Sequence, residues 1–241
     1  MILNIKKHVM IHFWELLKRG HLLLWLLITI LPPLLIAYLS IYKSMPFTIK
    51  HVSNFYCMFG MLAAVLHPLY FVNRDYSTKV VSLINNSRRN RLHYVISNYI
   101  LSMIIALFYA SIGIILLVIV KNFGVEGALT LKFIIGFLFN IILLVTTYFA
   151  LGYLMVLYGV HIGIIYTILT ALLLFIHNIF SNILETIQNE NAKKFIENLP
   201  IYYYPALVGS KPFSFSQYII GIIIICLITL WIFTKNLRNR Y

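Results

Sequence analysis

Charge is what this chain has least of. Charged residues make up 10% of its 241 positions, and only six are acidic; a soluble domain carries about a quarter. Six apolar runs, 22–42, 55–72, 94–120, 133–158, 162–180 and 218–233, contain no Asp, Glu, Lys or Arg at all. A transporter driven by protons or sodium places carboxylates within its spans to bind the coupling ion, and none is there. No GxxxxGK[ST] occurs, so the chain has no Walker-type site for ATP. HExxH and GxSxG are missing, which removes support for zinc-protease or serine-hydrolase chemistry. Neither a charged ring motif nor a TVGYG-like filter is present, which leaves an ion channel poorly supported. Cysteine is scarce as well. Cys57 and Cys226 each sit inside an apolar run and read as buried free thiols, so the redox compartment is not legible from them.

What is present is apolar: 61% of residues are hydrophobic. The six runs are long enough to span a bilayer, so the sequence predicts an all-α, polytopic integral membrane protein. No small-residue cleavage site follows the first run, which reads as retained rather than as a signal peptide. Pro32-Pro33 predicts a kink in the first span. Gly159-Val160-His161 joins the fourth and fifth spans so tightly that they form an antiparallel pair, with Gly159 and Gly163 spaced for a close backbone approach.

Residues 1–21 are amphipathic at about 100° per residue. Ile5, Val9, Met10, Phe13, Trp14, Leu16 and Leu17 fall on one half, and Lys7, His8, His12, Glu15, Lys18 and Arg19 on the other, with Lys6 and Ile11 as exceptions. Such a helix is expected in the interface plane. His8 and His12 have the spacing of a helical metal pair, but no third ligand stands beside them in sequence, and a solvated polar face is the plainer reading.

The formal charge of +13 comes from bases that flank the apolar runs, which points to the positive-inside bias and an anionic leaflet rather than to nucleic acid. With the N-terminus inside, every arginine and most of the basic residues fall on the inner side, while Glu126, Glu185, Glu190 and Glu197 fall outside. Both termini are expected in the cytoplasm.

Two polar stretches interrupt the spans. The inner one, 73–94, carries Arg74, Lys79, Arg88, Arg89 and Arg91. Asp75 reads as an N-cap, and Tyr76, Val80, Leu83 and Ile84 recur at helical spacing as an apolar stripe, with Lys79, Ser82 and Asn85 pointing elsewhere. Asn86-Ser87 ends this short helix, and Ser87 can cap the third span. The outer stretch, 181–217, reads as one or two short helices before Pro200, followed by Tyr202, Tyr203 and Tyr204 between two prolines. Tyrosine favours the membrane boundary, so this piece folds back on the outer rim, either as a passive cap or as a gate over an exit path.

This layout resembles the permease subunit of type-2 ATP-binding-cassette transporters. The resemblance rests on the interfacial N-terminal helix, six spans, a helical outer segment before the last span, and the inner pattern Asp75, Ser77-Thr78, Val80-Val81, Leu83, Ser87-Arg88 and Arg91. It implies a single transmembrane permease domain over 1–241, with a coupling segment at 73–93 docked on a partner ATPase through Asp75, Tyr76, Lys79, Val80, Leu83, Ile84 and Arg88. It further implies two ATPase subunits that hold the ATP and magnesium, no cofactor on this chain, and a second permease copy or paralogue. The compact outer loops and apolar spans look most similar to bacterial exporters for lantibiotic immunity or for phenol-soluble modulins, which implies a peptide substrate, membrane lipids as surroundings, and a bacterial cell membrane. Two other readings stay open. One is an energy-independent immunity or scaffold protein that binds a toxin. The other is an intramembrane enzyme built on His67 and His177, the two histidines inside the spans; each of these reads more simply as a neutral, hydrogen-bonded residue.

Overall fold

A computed structural model describes residues 2–84 and 87–238, and among the described residues it is entirely helical. The helices are α1 (Ile5–Lys18), α2 (His21–Tyr42), α3 (Ile49–Ser77), α4 (Val80–Ile84), α5 (Arg88–Asn122), α6 (Leu131–Leu157), α7 (Ile162–Leu174), α8 (Ile176–Thr186), α9 (Glu190–Glu197), α10 (Pro200–Leu207) and α11 (Phe215–Arg238). By length and composition α2, α3, α5, α6 and α11 can cross a membrane. The pair α7 and α8 makes a sixth crossing if it is one span bent by 43°.

The third helix is the central post. It packs against α2, α5, α6 and α7, and nearly all of its apolar run is buried. By contrast α2 and α11 lie at the periphery, with Leu23, Leu27, Leu31, Leu227 and Leu230 each about 60% exposed. Apolar surface on that scale is unfavourable in water and costs nothing against lipid tails. The termini of the long helices follow ordinary capping chemistry. Ser87 accepts from the Asn90 amide at the start of α5, and Thr130 accepts from the Phe133 amide at the start of α6. Pro32 and Pro33 lie inside α2, which continues through both.

Three boundaries differ from the sequence reading. The second span does not stop at the end of its apolar run but continues as α3 through Asp75 to Ser77. Asp75 is therefore buried inside a long helix and is not an N-cap. The chain breaks instead at Thr78-Lys79, with Lys79 at φ 59°, a left-handed conformation that terminates a helix. The fifth span is broken at Phe175, where no proline or glycine marks the sequence. Finally, Gly159 serves the turn after α6 at φ 74°, with nothing within 4 Å of a Cβ built there, and Gly163 meets only its neighbour His161. The close backbone approach expected at that pair is not made. The Asn85 and Asn86 readings fall outside the described residues.

Candidate functional site

The polar groups of the fold gather at two ends of α3. At one end Asn54 meets Ser210, whose hydroxyl donates to the Asn54 side chain at 2.9 Å. At the other, Arg74 and Asp75 meet α1. The 21 residues between Asn54 and Asp75 rise about 32 Å at ~1.5 Å each, which matches a hydrocarbon core of about 30 Å. The two clusters are thus separated by one membrane thickness of helix.

The α1 end is built from the backbone outwards. Asn4 caps α1 by accepting from the Lys7 amide. The Leu3 amide donates to Asn90 Oδ1 at 2.9 Å, and the Leu3 carbonyl lies 3.0 Å from His93 Nδ1, which pins the start of α1 to the start of α5. Fixed there, α1 turns its His8, His12, Glu15 and Arg19 stripe towards α3 and α5, while Met10, Ile11 and Trp14 are left about half exposed. His8 and His12 are buried, which corrects the reading of a solvated polar face. Beside lipid the outward face of an amphipathic helix is the apolar one, so its polar stripe is free to face protein.

This stripe meets a compact network. Arg74 donates to Glu15 at 2.6 Å and lies 3.5 Å from Asp75 Oδ1, and Arg19 reaches Glu15 at 2.7 Å. The Arg74 guanidinium also stands 5.1 Å from the Phe71 ring centroid, within cation–π range. Asp75 Oδ2 accepts from the Tyr94 hydroxyl at 3.1 Å and lies 3.9 Å from His12 Nε2. His12 Nε2 is 3.2 Å from His8 Nε2, and His8 Nδ1 is 3.4 Å from Ser97 Oγ, which itself donates to the Tyr94 carbonyl. Burial pushes the His12 pKa down to about 4, helped by the positive charge of Arg74 and by His8, and burial also lowers that of His8. Both rings are neutral at pH 7. Glu15 is held below the usual carboxylate range by its hydrogen bond from Arg74.

Around this network the expected docking residues divide. Tyr76 is half-buried and donates to Asn236 Oδ1 at 3.5 Å. On α4 the buried residue is Val81, Ile84 is half-buried, and Val80 and Leu83 face outwards, Leu83 with 76% exposure. Lys79 and Arg88 are exposed on either side of α4. Asp75 is 4% exposed and belongs to the buried network rather than to the exposed segment.

The α10 end is neutral. Tyr203 and Tyr204 are fully buried. The Tyr203 hydroxyl donates to the Gln217 carbonyl at 2.7 Å, and Thr147 donates to the Tyr204 hydroxyl at 3.1 Å. Tyr202 is half-buried with its ring near Phe180. Asn140 on α6 fastens the chain after α10. Its amide donates to the Lys211 carbonyl at 3.0 Å, and its oxygen accepts from the Tyr218 hydroxyl at 2.6 Å. His67 and His177 are not brought together. His67 on α3 donates from Nδ1 to the Ala63 carbonyl, 2.8 Å away, and stacks on Tyr109, whereas His177 lies on α8. The residues that sequence reasoning missed are Asn90, Tyr94 and Ser97 on α5. The missed link is Asp75 to His8 and His12, for which the i, i+4 histidine spacing was the only available signal.

No family model matches the chain, and none of the curated proteins compared with it matches either.

Proposed function

We propose that this chain is the membrane-spanning permease subunit of an ATP-driven exporter of the ATP-binding-cassette type, moving amphipathic peptides. The carrying observation is α4, a five-residue helix set between two candidate spans, with Leu83 and Val80 exposed and Lys79 and Arg88 beside them. Exposed apolar residues flanked by bases on a helix between spans suit a protein partner that buries the apolar pair and supplies acidic groups. The apolar runs of the spans carry no charge for ion coupling, so work enters through such a partner. Two cytoplasmic ATPase subunits, each with ATP and magnesium, dock on this segment, and both termini lie on the same side of a bacterial cell membrane. A second permease copy or paralogue packs against the exposed apolar flanks of the bundle. Because α4 hangs from the buried α3, a push on it reaches the centre of the bundle. Tyr202, Tyr203 and Tyr204 at the far end of α3 close the outward side.

The test is reconstitution with a candidate cytoplasmic ATPase of the ATP-binding-cassette type. Val80→Glu with Leu83→Glu is expected to abolish transport-coupled ATP hydrolysis while leaving membrane insertion intact. Full coupling in that variant would sink the docking role. Protection against a toxin that persists with a catalytically dead ATPase would instead favour an energy-independent immunity protein.

A further inference from the structure

We propose that His8, His12 and Asp75 form a site for a divalent transition-metal ion of the zinc type, which fastens α1 to the end of α3. Among the described residues, these three side chains offer ligand atoms that all lie within 4.8 Å of one another, and all three are buried. The inference does not depend on the exporter reading.

The geometry is close to that of a bound ion. Zinc with bonds of about 2.0–2.1 Å in tetrahedral array holds its ligand atoms about 3.3 Å apart. The two Nε2 atoms stand at 3.2 Å, His12 Nε2 to Asp75 Oδ2 is 3.9 Å, and the third edge lies within 4.8 Å, so the carboxylate closes on the two rings to complete the triad. Two imidazoles and one carboxylate leave the fourth position for water, and this donor set suits zinc or iron(II) and cobalt(II) rather than magnesium or calcium.

The supporting contacts point the same way. A histidine that binds metal through Nε2 must carry its proton on Nδ1 and donates it to a neighbour. For His8 that neighbour is Ser97 Oγ at 3.4 Å, free to accept because its own hydrogen goes to the Tyr94 carbonyl. For His12 the match is incomplete: Glu15 Oε2 lies 3.8 Å from Nδ1, beyond hydrogen-bond length, while the Arg74 guanidinium stands 3.4 Å from the same nitrogen, so the ring must turn Nδ1–H from Arg74 to Glu15 when an ion binds. Tyr94 orients the Asp75 carboxylate from behind. Besides His12, that hydrogen bond and the Arg74 contact at 3.5 Å are what faces the Asp75 carboxylate, which is 4% exposed. Arg74 opposes an incoming cation, yet its charge is largely met by Glu15 at 2.6 Å. A groove lined by Asn4, Lys7, His8, Leu83, Ile84 and Asn90 gives an ion a route to His8.

The experiment uses the full chain, purified in detergent, stripped with a chelator and titrated with cobalt(II). One saturable equivalent with the visible absorption of tetrahedral cobalt is expected, displaced by zinc. His12→Gln and Asp75→Asn should each weaken binding by more than the roughly 10–100-fold that loss of a supporting residue costs, with Ser97→Ala inside that range and the exposed His161→Gln without effect. X-ray absorption on the zinc-loaded wild type needs no substitution and should count two imidazoles. An octahedral spectrum, one imidazole or none, absence of saturable binding, or binding unchanged in His12→Gln and Asp75→Asn would each overturn the site.

Discussion

The two ends of α3 are fastened by different chemistry. At the α1 end the joints are ionisable: Glu15, Arg19, Arg74 and Asp75 with two histidines. At the α10 end they are neutral: tyrosine hydroxyls, the Asn140 amide and close packing. Neutral joints hold irrespective of pH, salt or metal. Ionisable joints hold only while each charge keeps its partner, so the α1 end is the end that conditions and ligands can loosen or lock. The exposed α4 hangs from that same end.

The largest break in this comparison is Arg74→Ala. It strips Glu15 of its 2.6 Å donor, leaving it Arg19, and leaves the buried Asp75 with Tyr94 and a neutral His12 but no cation. Orphaning a buried charge costs about 3–5 kcal/mol, and the partial exposure of Glu15 and Arg74 lowers the expected loss to about 2–3 kcal/mol, read as a fall in thermal midpoint in detergent. At the other end Gly209→Ala is the matching lesion. A Cβ there would stand 2.9 Å from the Asn54 backbone, which cannot yield as a flexible side chain can. Overpacking of this kind costs roughly 1–3 kcal/mol. Its effect should be indifferent to salt, whereas that of Arg74→Ala should shrink as salt rises; equal salt dependence would erase the distinction between the ends.

Acid sharpens the same contrast in metal-free protein. The Glu15 carboxyl is depressed by Arg74, so its contribution is present above its ordinary range and is lost as pH falls through the lowered value. The His12 ring is held neutral down to about pH 4, so a detached α1 binds a proton from about pH 6.5 downwards that the docked helix refuses. His12 weakens docking of α1 from about pH 6.5 to about 4, Glu15 adds to that loss only below its ordinary 4.5, and Asp75, raised by burial, works against both in the acid part of the window. Hydrogen exchange should rise in α1 over that window by more than in α10, whose own joints are tyrosine hydroxyls and amides.

Much of this was legible in the sequence and some could not be. Charge-free runs fixed the long helices because nothing else tolerates so many adjacent apolar residues. Ser87 was legible as a cap because capping is local. The His8 and His12 face was not, because the rule that polar faces meet water assumes water on the outside, and next to lipid the rule inverts. Asp75 was misread as a cap for a related reason. Its true partners, Tyr94 and His12, lie 19 and 63 residues away, and their contacts carry α3 past the point where its apolar run ends. The break at Phe175 has no marker in the sequence, and nothing in the contacts of α7 and α8 explains it.

The smallest expected effect on stability falls on α4, and it separates the buried network from the exposed segment beside it. Val80→Glu and Leu83→Glu add charge where the native side chains already face outwards, Leu83 with 76% exposure. Surface changes of that kind stay within about 0.5 kcal/mol. Val81→Glu, one position away, drives a carboxylate into a site with 1% exposure and should cost several kcal/mol on the scale of a buried charge. Thermal midpoints that fall for Val81→Glu but hold for its two neighbours would show that α4 is seated through one residue and presents the rest. If Leu83→Glu destabilised the isolated chain as much as Val81→Glu, the exposed face would already be packed against this chain and would have nothing left to offer a partner.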